Sequence, residues 1–110
     1  MLRRAGRNAF WLHRVTGIAL VLYLVLHLIV LSQLLDGPAT WDAFLVVARS
    51  PVFLALDLLL LEAALFHGLN GIRLVVLGLG RGLAWQEQSF WFCLALSLVL
   101  TAAAGLGMLR

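Results

Sequence analysis

The chain has 110 residues, 64% of them hydrophobic and 12% charged, with a mean hydropathy of +1.05. A soluble domain of this length needs far more polar surface, and a nucleic-acid binder needs a basic patch on a folded domain, so composition excludes both and leaves the lipid bilayer as the suitable solvent. Eight arginines, no lysine and five acids give a net charge of +3; they sit mostly near the ends of apolar runs, as topology anchors and head-group contacts do.

In chain order, Met1-Leu2-Arg3-Arg4 has the charge of a signal-peptide start. The apolar stretch behind it is too long and lacks a small-residue cleavage site, so a retained first helix is expected. A spanning helix needs ~20 mainly apolar residues. Three segments qualify, at about 10–35, 51–78 and 89–109. Asp36-Gly37-Pro38-Ala39-Thr40 is a turn signal, and Ser50-Pro51 is a good helix start. Gly78-Leu79-Gly80-Arg81-Gly82 breaks the second run from the third. The expected fold is all-α: one domain over residues 1–110, with three transmembrane helices and no internal repeat. Cys93, alone within an apolar run, excludes a disulfide or cysteine metal motif within the chain and reads as a packing residue.

Two passes through the membrane put Arg3, Arg4, Arg7, Arg14, Arg73 and Arg81 on one side. Arg49 and Arg110 fall on the other, with Asp36 and Asp42. The positive-inside rule then predicts a cytoplasmic N-terminus and an outer C-terminus. Trp11, Trp85 and Trp91 fall near the inner interface and Trp41 near the outer one, as an aromatic belt requires.

His27 and His67 lie inside spans, where polar side chains are costly and usually face a bundle interior. Neutral imidazole is a strong haem-iron ligand. His27 is ~25 Å up the first helix, in the outer half, and His67 ~24 Å down the second, in the inner half. Roughly 15–20 Å therefore separates them, whereas one iron needs two imidazole nitrogens about 4 Å apart. They cannot clamp one haem together; if either binds iron with two histidines, another chain supplies the second. Around His67 the helix face carries Leu60, Ala63, Ala64, Asn70, Gly71 and Leu74, with room for a macrocycle or equally for close helix packing. The face of His27 carries bulkier Thr16, Leu20 and Tyr23, with His13 further down. A hydrogen bond to a neighbouring helix is the alternative for either histidine.

His13-Arg14-Val15-Thr16-Gly17, followed by Tyr23 and His27, resembles the first helix of the succinate dehydrogenase/fumarate reductase cytochrome b anchor subunit. Phe66-His67-Gly68-Leu69-Asn70-Gly71-Ile72-Arg73 resembles the second-helix signature of that family, a histidine followed four residues later by Gly-Ile-Arg. The resemblance covers nearly the whole chain. It implies that His67 is an axial ligand of haem b, with the other ligand on a second small membrane subunit. It also implies that His13, Arg14 and Arg73 lie at the haem propionates or the quinone pocket, where a guanidinium pairs with carboxylate. Topology anchoring and head-group contact are compatible with those arginines too. In two-haem branches of the family the first helix carries a ligand for the outer haem, which is the role implied for His27; one-haem branches leave such a histidine to packing. The sequence departs from the pattern at Phe10, Leu74 and Gly78, where some members carry a serine, a second histidine and an acid.

Asp57 and Glu62 lie in the second span, and unpaired charges there are expensive. Protonation, an inter-subunit bond or a proton relay would each resolve the cost. Thr16 and Tyr23 are further candidates for the quinone pocket or relay. The resemblance implies a respiratory complex in the bacterial or archaeal cytoplasmic membrane, in which a flavoprotein subunit and an iron–sulfur subunit exchange electrons with quinone through one or two haems b. The chain has no flavin, nucleotide or dicarboxylate motif and cannot oxidise succinate alone. A haem-free structural anchor and a small transporter or channel subunit are the competing expectations.

Overall fold

The computed structural model describes the backbone of residues 2–108 and the side chains of residues 6–108. Arg3, Arg4 and Arg110 of the charge pattern therefore lie outside the described side chains. Helix α1 spans Leu2–Leu31 and runs into a 3-10 turn at Ser32–Asp36. Helices α2 (Pro38–Ala48), α3 (Pro51–Gly78) and α4 (Gln86–Met108) follow, with a second 3-10 turn at Leu83–Trp85 before α4. Three stretches are long and apolar enough to cross a membrane: Gly6–Asp36, Pro51–Gly78 and Leu83–Met108. The all-α expectation with three spans is met.

Local chemistry sets the breaks. Gly37 has φ +103°, a conformation that side-chain-bearing residues rarely adopt, and Pro38 then opens α2 at its first turn. Ser50 is extended, with ψ 154°, and Pro51 starts α3 in the same way. α2 was not among the expected elements. Its 11 residues rise only ~16 Å, too short to cross a bilayer, so it is a re-entrant or interfacial segment between the first two spans.

α3 is the central helix, packed against both α1 and α4, which also touch each other. The molecule measures 56 × 28 × 19 Å, a thin slab of helices. Its core is small: Ala9, Phe66 and Phe90 are buried together, with Leu94 packed on them. Phe66 and Phe90 meet edge to face with centroids 6.2 Å apart. Most leucines and valines of α1 point outward. Against lipid tails such exposure costs nothing, so packing and polar contacts hold the helices together.

Candidate functional site

At the arginine-bearing end of the bundle, α1 and α3 bring His13 and His67 face to face. Their rings are stacked, with centroids 4.0 Å apart and planes within 6°. His67 sits where α1 has no side chain: a Cβ on Gly17 would stand 3.0 Å from its Cε1. In return, a Cβ on Gly71 would meet the His13 ring at 3.7 Å. The space expected beside Gly71 for a macrocycle is thus taken up by the His13 imidazole.

The His67 Nδ1 lies 3.1 Å from the His13 carbonyl oxygen and 3.1 Å from Thr16 Oγ1. A carbonyl can only accept, so the proton is assigned to Nδ1 and the lone pair to Nε2. Thr16 is itself anchored, with Oγ1 2.7 Å from the Leu12 carbonyl oxygen. Nε2 makes no hydrogen bond among the described residues. This is the usual arrangement of a metal-binding histidine, one nitrogen fixed by a second group and the other left for the metal. The two rings cannot clamp one iron between them, because stacked imidazoles do not aim their nitrogens at a common point. His13 therefore serves as the partner that fixes His67, and a haem at His67 requires a ligand from another chain.

Gly6, Ala9, Phe10, His13, Arg14 and Arg73 line most of an open groove of about 470 Å³ at the same end. It brings His13, Arg14 and Arg73 together. Arg73 is only 6% exposed. Its guanidinium donates to Asn70 Oδ1 at 3.1 Å, Ser89 Oγ at 2.9 Å and the Gln86 carbonyl at 3.0 Å, and lies 5.9 Å from the centre of the Phe90 ring. No carboxylate pairs with it among the described residues. His13 Nδ1 and Asn70 Nδ2 are buried without partners. A buried cation lacking an anion and an orphaned His13 nitrogen on the groove fit a carboxylate-bearing ligand such as a haem propionate.

The other candidates stand apart. Tyr23 and His27 form a second aromatic pair, with centroids 5.5 Å apart, on the exposed face of α1 towards its other end. Asp57 is exposed on α3. Glu62, expected to find a partner on another subunit or to be protonated, has partners in its own chain: Ser97 Oγ at 2.7 Å and Thr101 Oγ1 at 2.8 Å. The sequence reading missed Gly17, Ser89, Ser97 and Thr101. The spacing of Ser97 and Thr101, one turn apart within an otherwise apolar span, was the available signal for the last two.

The family model for the succinate dehydrogenase/fumarate reductase transmembrane subunit matches residues 1–104. A succinate dehydrogenase hydrophobic membrane anchor subunit from Halobacterium salinarum is 41% identical over 101 residues, 91% of this chain and 78% of that protein. The succinate dehydrogenase 2 membrane subunit SdhC from Mycobacterium tuberculosis is 30% identical over 94 residues, 84% of this chain and 69% of its own length. With three membrane-length apolar helices and a match over nearly its full length, the chain belongs to the succinate dehydrogenase/fumarate reductase transmembrane subunit family.

Proposed function

We propose that this chain is the haem b-binding anchor of a succinate:quinone oxidoreductase and carries electrons between an iron–sulfur subunit and membrane quinone. The observation that supports this best is the fixed imidazole of His67, held over Gly17 by the His13 carbonyl and the Thr16 hydroxyl with Nε2 left to bind iron. Haem b, when bound, supplies a one-electron relay within the low-dielectric bundle. His67 would hold the haem iron through Nε2, and a second small membrane subunit would supply the other ligand.

The chain's own residues prepare that role. Thr16 and the His13 carbonyl hold the ring orientation and tautomer of His67. Arg73, preset by three hydrogen bonds, offers its remaining N–H groups and its charge to a propionate. Arg14 and His13 line the groove, whose size and largely apolar surface suit a quinone head group beside the propionates. The arginine-bearing end faces the cytoplasm in this reading and receives the iron–sulfur and flavoprotein subunits. His27, on the exposed face of α1, would face the second membrane subunit and hold a second, outer haem.

The test is the reduced-minus-oxidised spectrum of the purified complex. A haem b band is expected in the wild type and its loss in His67→Ala, with the peripheral subunits still bound. An unchanged band in that variant removes His67 as a ligand, and a haem-free wild-type complex leaves the chain a structural anchor. A haem-to-complex ratio of two supports His27 as a ligand, and a ratio of one leaves it without iron.

A further inference from the structure

Glu62 is placed where a carboxyl group is hardest to keep charged. It lies ~16 Å along α3 from Pro51, and its partner Ser97 is the central residue of α4. The pair therefore sits near mid-depth of the bundle. No basic side chain pairs with the carboxyl among the described residues. Ionised, it would be costly unless several donors stabilised it.

The hydrogen bonds around it are complete in either protonation state. With Glu62 ionised, Ser97 Oγ donates to Oε1 at 2.7 Å and Thr101 Oγ1 donates to Oε2 at 2.8 Å. With Glu62 protonated at Oε1, the acid donates to Ser97 Oγ. The serine hydroxyl then turns to the Leu94 carbonyl oxygen, already 2.8 Å away, and Thr101 continues to donate to Oε2. Gaining or losing the proton thus requires only rotation of one hydroxyl. Ser97 is fully buried and Glu62 partly buried, so the network is anchored on α4.

We propose that Glu62, Ser97 and Thr101 form a mid-membrane proton-binding site. The Glu62 carboxylate takes up one proton when an electron enters the bundle and releases it when the electron leaves. The electron step rests on the redox role proposed above; the proton site itself does not. The other titratable groups within the spans of α3 and the two helices packed on it are Asp57 and His67 on α3, Cys93 on α4, and Tyr23, His27 and His13 on α1. Asp57, 5 residues from Glu62 towards the other end of α3 and exposed, is the nearest onward proton carrier along that helix.

Two measurements on the intact complex in its native membrane test this. Dicyclohexylcarbodiimide adds only to protonated carboxyl groups in apolar surroundings. A mass adduct is expected at Glu62 at neutral pH, falling at least tenfold as the pH is raised and absent in Glu62→Gln. Infrared difference spectra between dithionite-reduced and oxidised complex should show a carboxylic C=O band. That band should shift in deuterium oxide, vanish in Glu62→Gln and move in frequency in Ser97→Ala. No adduct at any pH, or no such band in a complex whose haem b is reduced normally, overturns the proton site and leaves the haem assignment intact. An adduct in a complex without haem b overturns the electron coupling and the redox role instead.

Discussion

At the scale of single residues, the site depends on two details of α1. A methyl group on Gly17 would stand 3.0 Å from the His67 ring, so Gly17→Ala forces the imidazole away from its seat. Haem content per complex, measured by pyridine haemochrome, should fall in Gly17→Ala. Thr16→Val keeps the side-chain shape but removes the hydroxyl at 3.1 Å from Nδ1. Loss of such an outer partner typically costs ~10–100-fold in metal affinity. The lower end is expected here, because the His13 carbonyl still accepts from Nδ1. Haem titration of the apo-complex measures it, and wild-type affinity in both variants would separate the His13–Thr16 contact from ligand positioning.

At the scale of elements, Arg73 ties α3 to the start of α4. Arg73→Met removes three hydrogen bonds and leaves Asn70 Oδ1 without its donor, while the Gln86 carbonyl keeps the Ser89 hydroxyl. Each buried polar group left unpaired costs about 1–3 kcal/mol, so the thermal midpoint of the detergent-solubilised complex should drop markedly. Arg73→Lys keeps the charge but not the planar fork, and should recover only part of the loss. Gly37→Ala places a Cβ at φ +103° and should cost on the order of 1–3 kcal/mol by the same measurement. The spans were legible because ~20 apolar residues between turn signals have few alternatives. α2 was not: Trp41, Phe44 and Leu45 were read as part of a loop, since a short apolar run gives no periodic signal strong enough to separate helix from connection. The pairing of His13 with His67 was hidden for another reason. The two are separated by a full helix pair, and only the facing of Gly17 and Gly71 across α1 and α3 brings them together.

At the scale of the whole molecule, the bundle leaves much of α1 uncovered, with Tyr23 and His27 on its open face. Lipid can cover the leucines but not satisfy the imidazole. A second membrane subunit seated there should protect His27 from diethyl pyrocarbonate, and equal modification of free chain and complex would contradict that placement. The groove and most of the basic side chains gather at one end of the slab, which is where the proposed function puts electron entry and quinone exchange. The account's central claim is that the imidazole of His67 binds haem iron, and ligand replacement tests it most directly. In His67→Gly, removal of the ring leaves space beside Gly17 for free imidazole. The low-spin haem b spectrum should disappear from the purified variant complex and return when imidazole is added. A wild-type spectrum in His67→Gly without imidazole would contradict the claim.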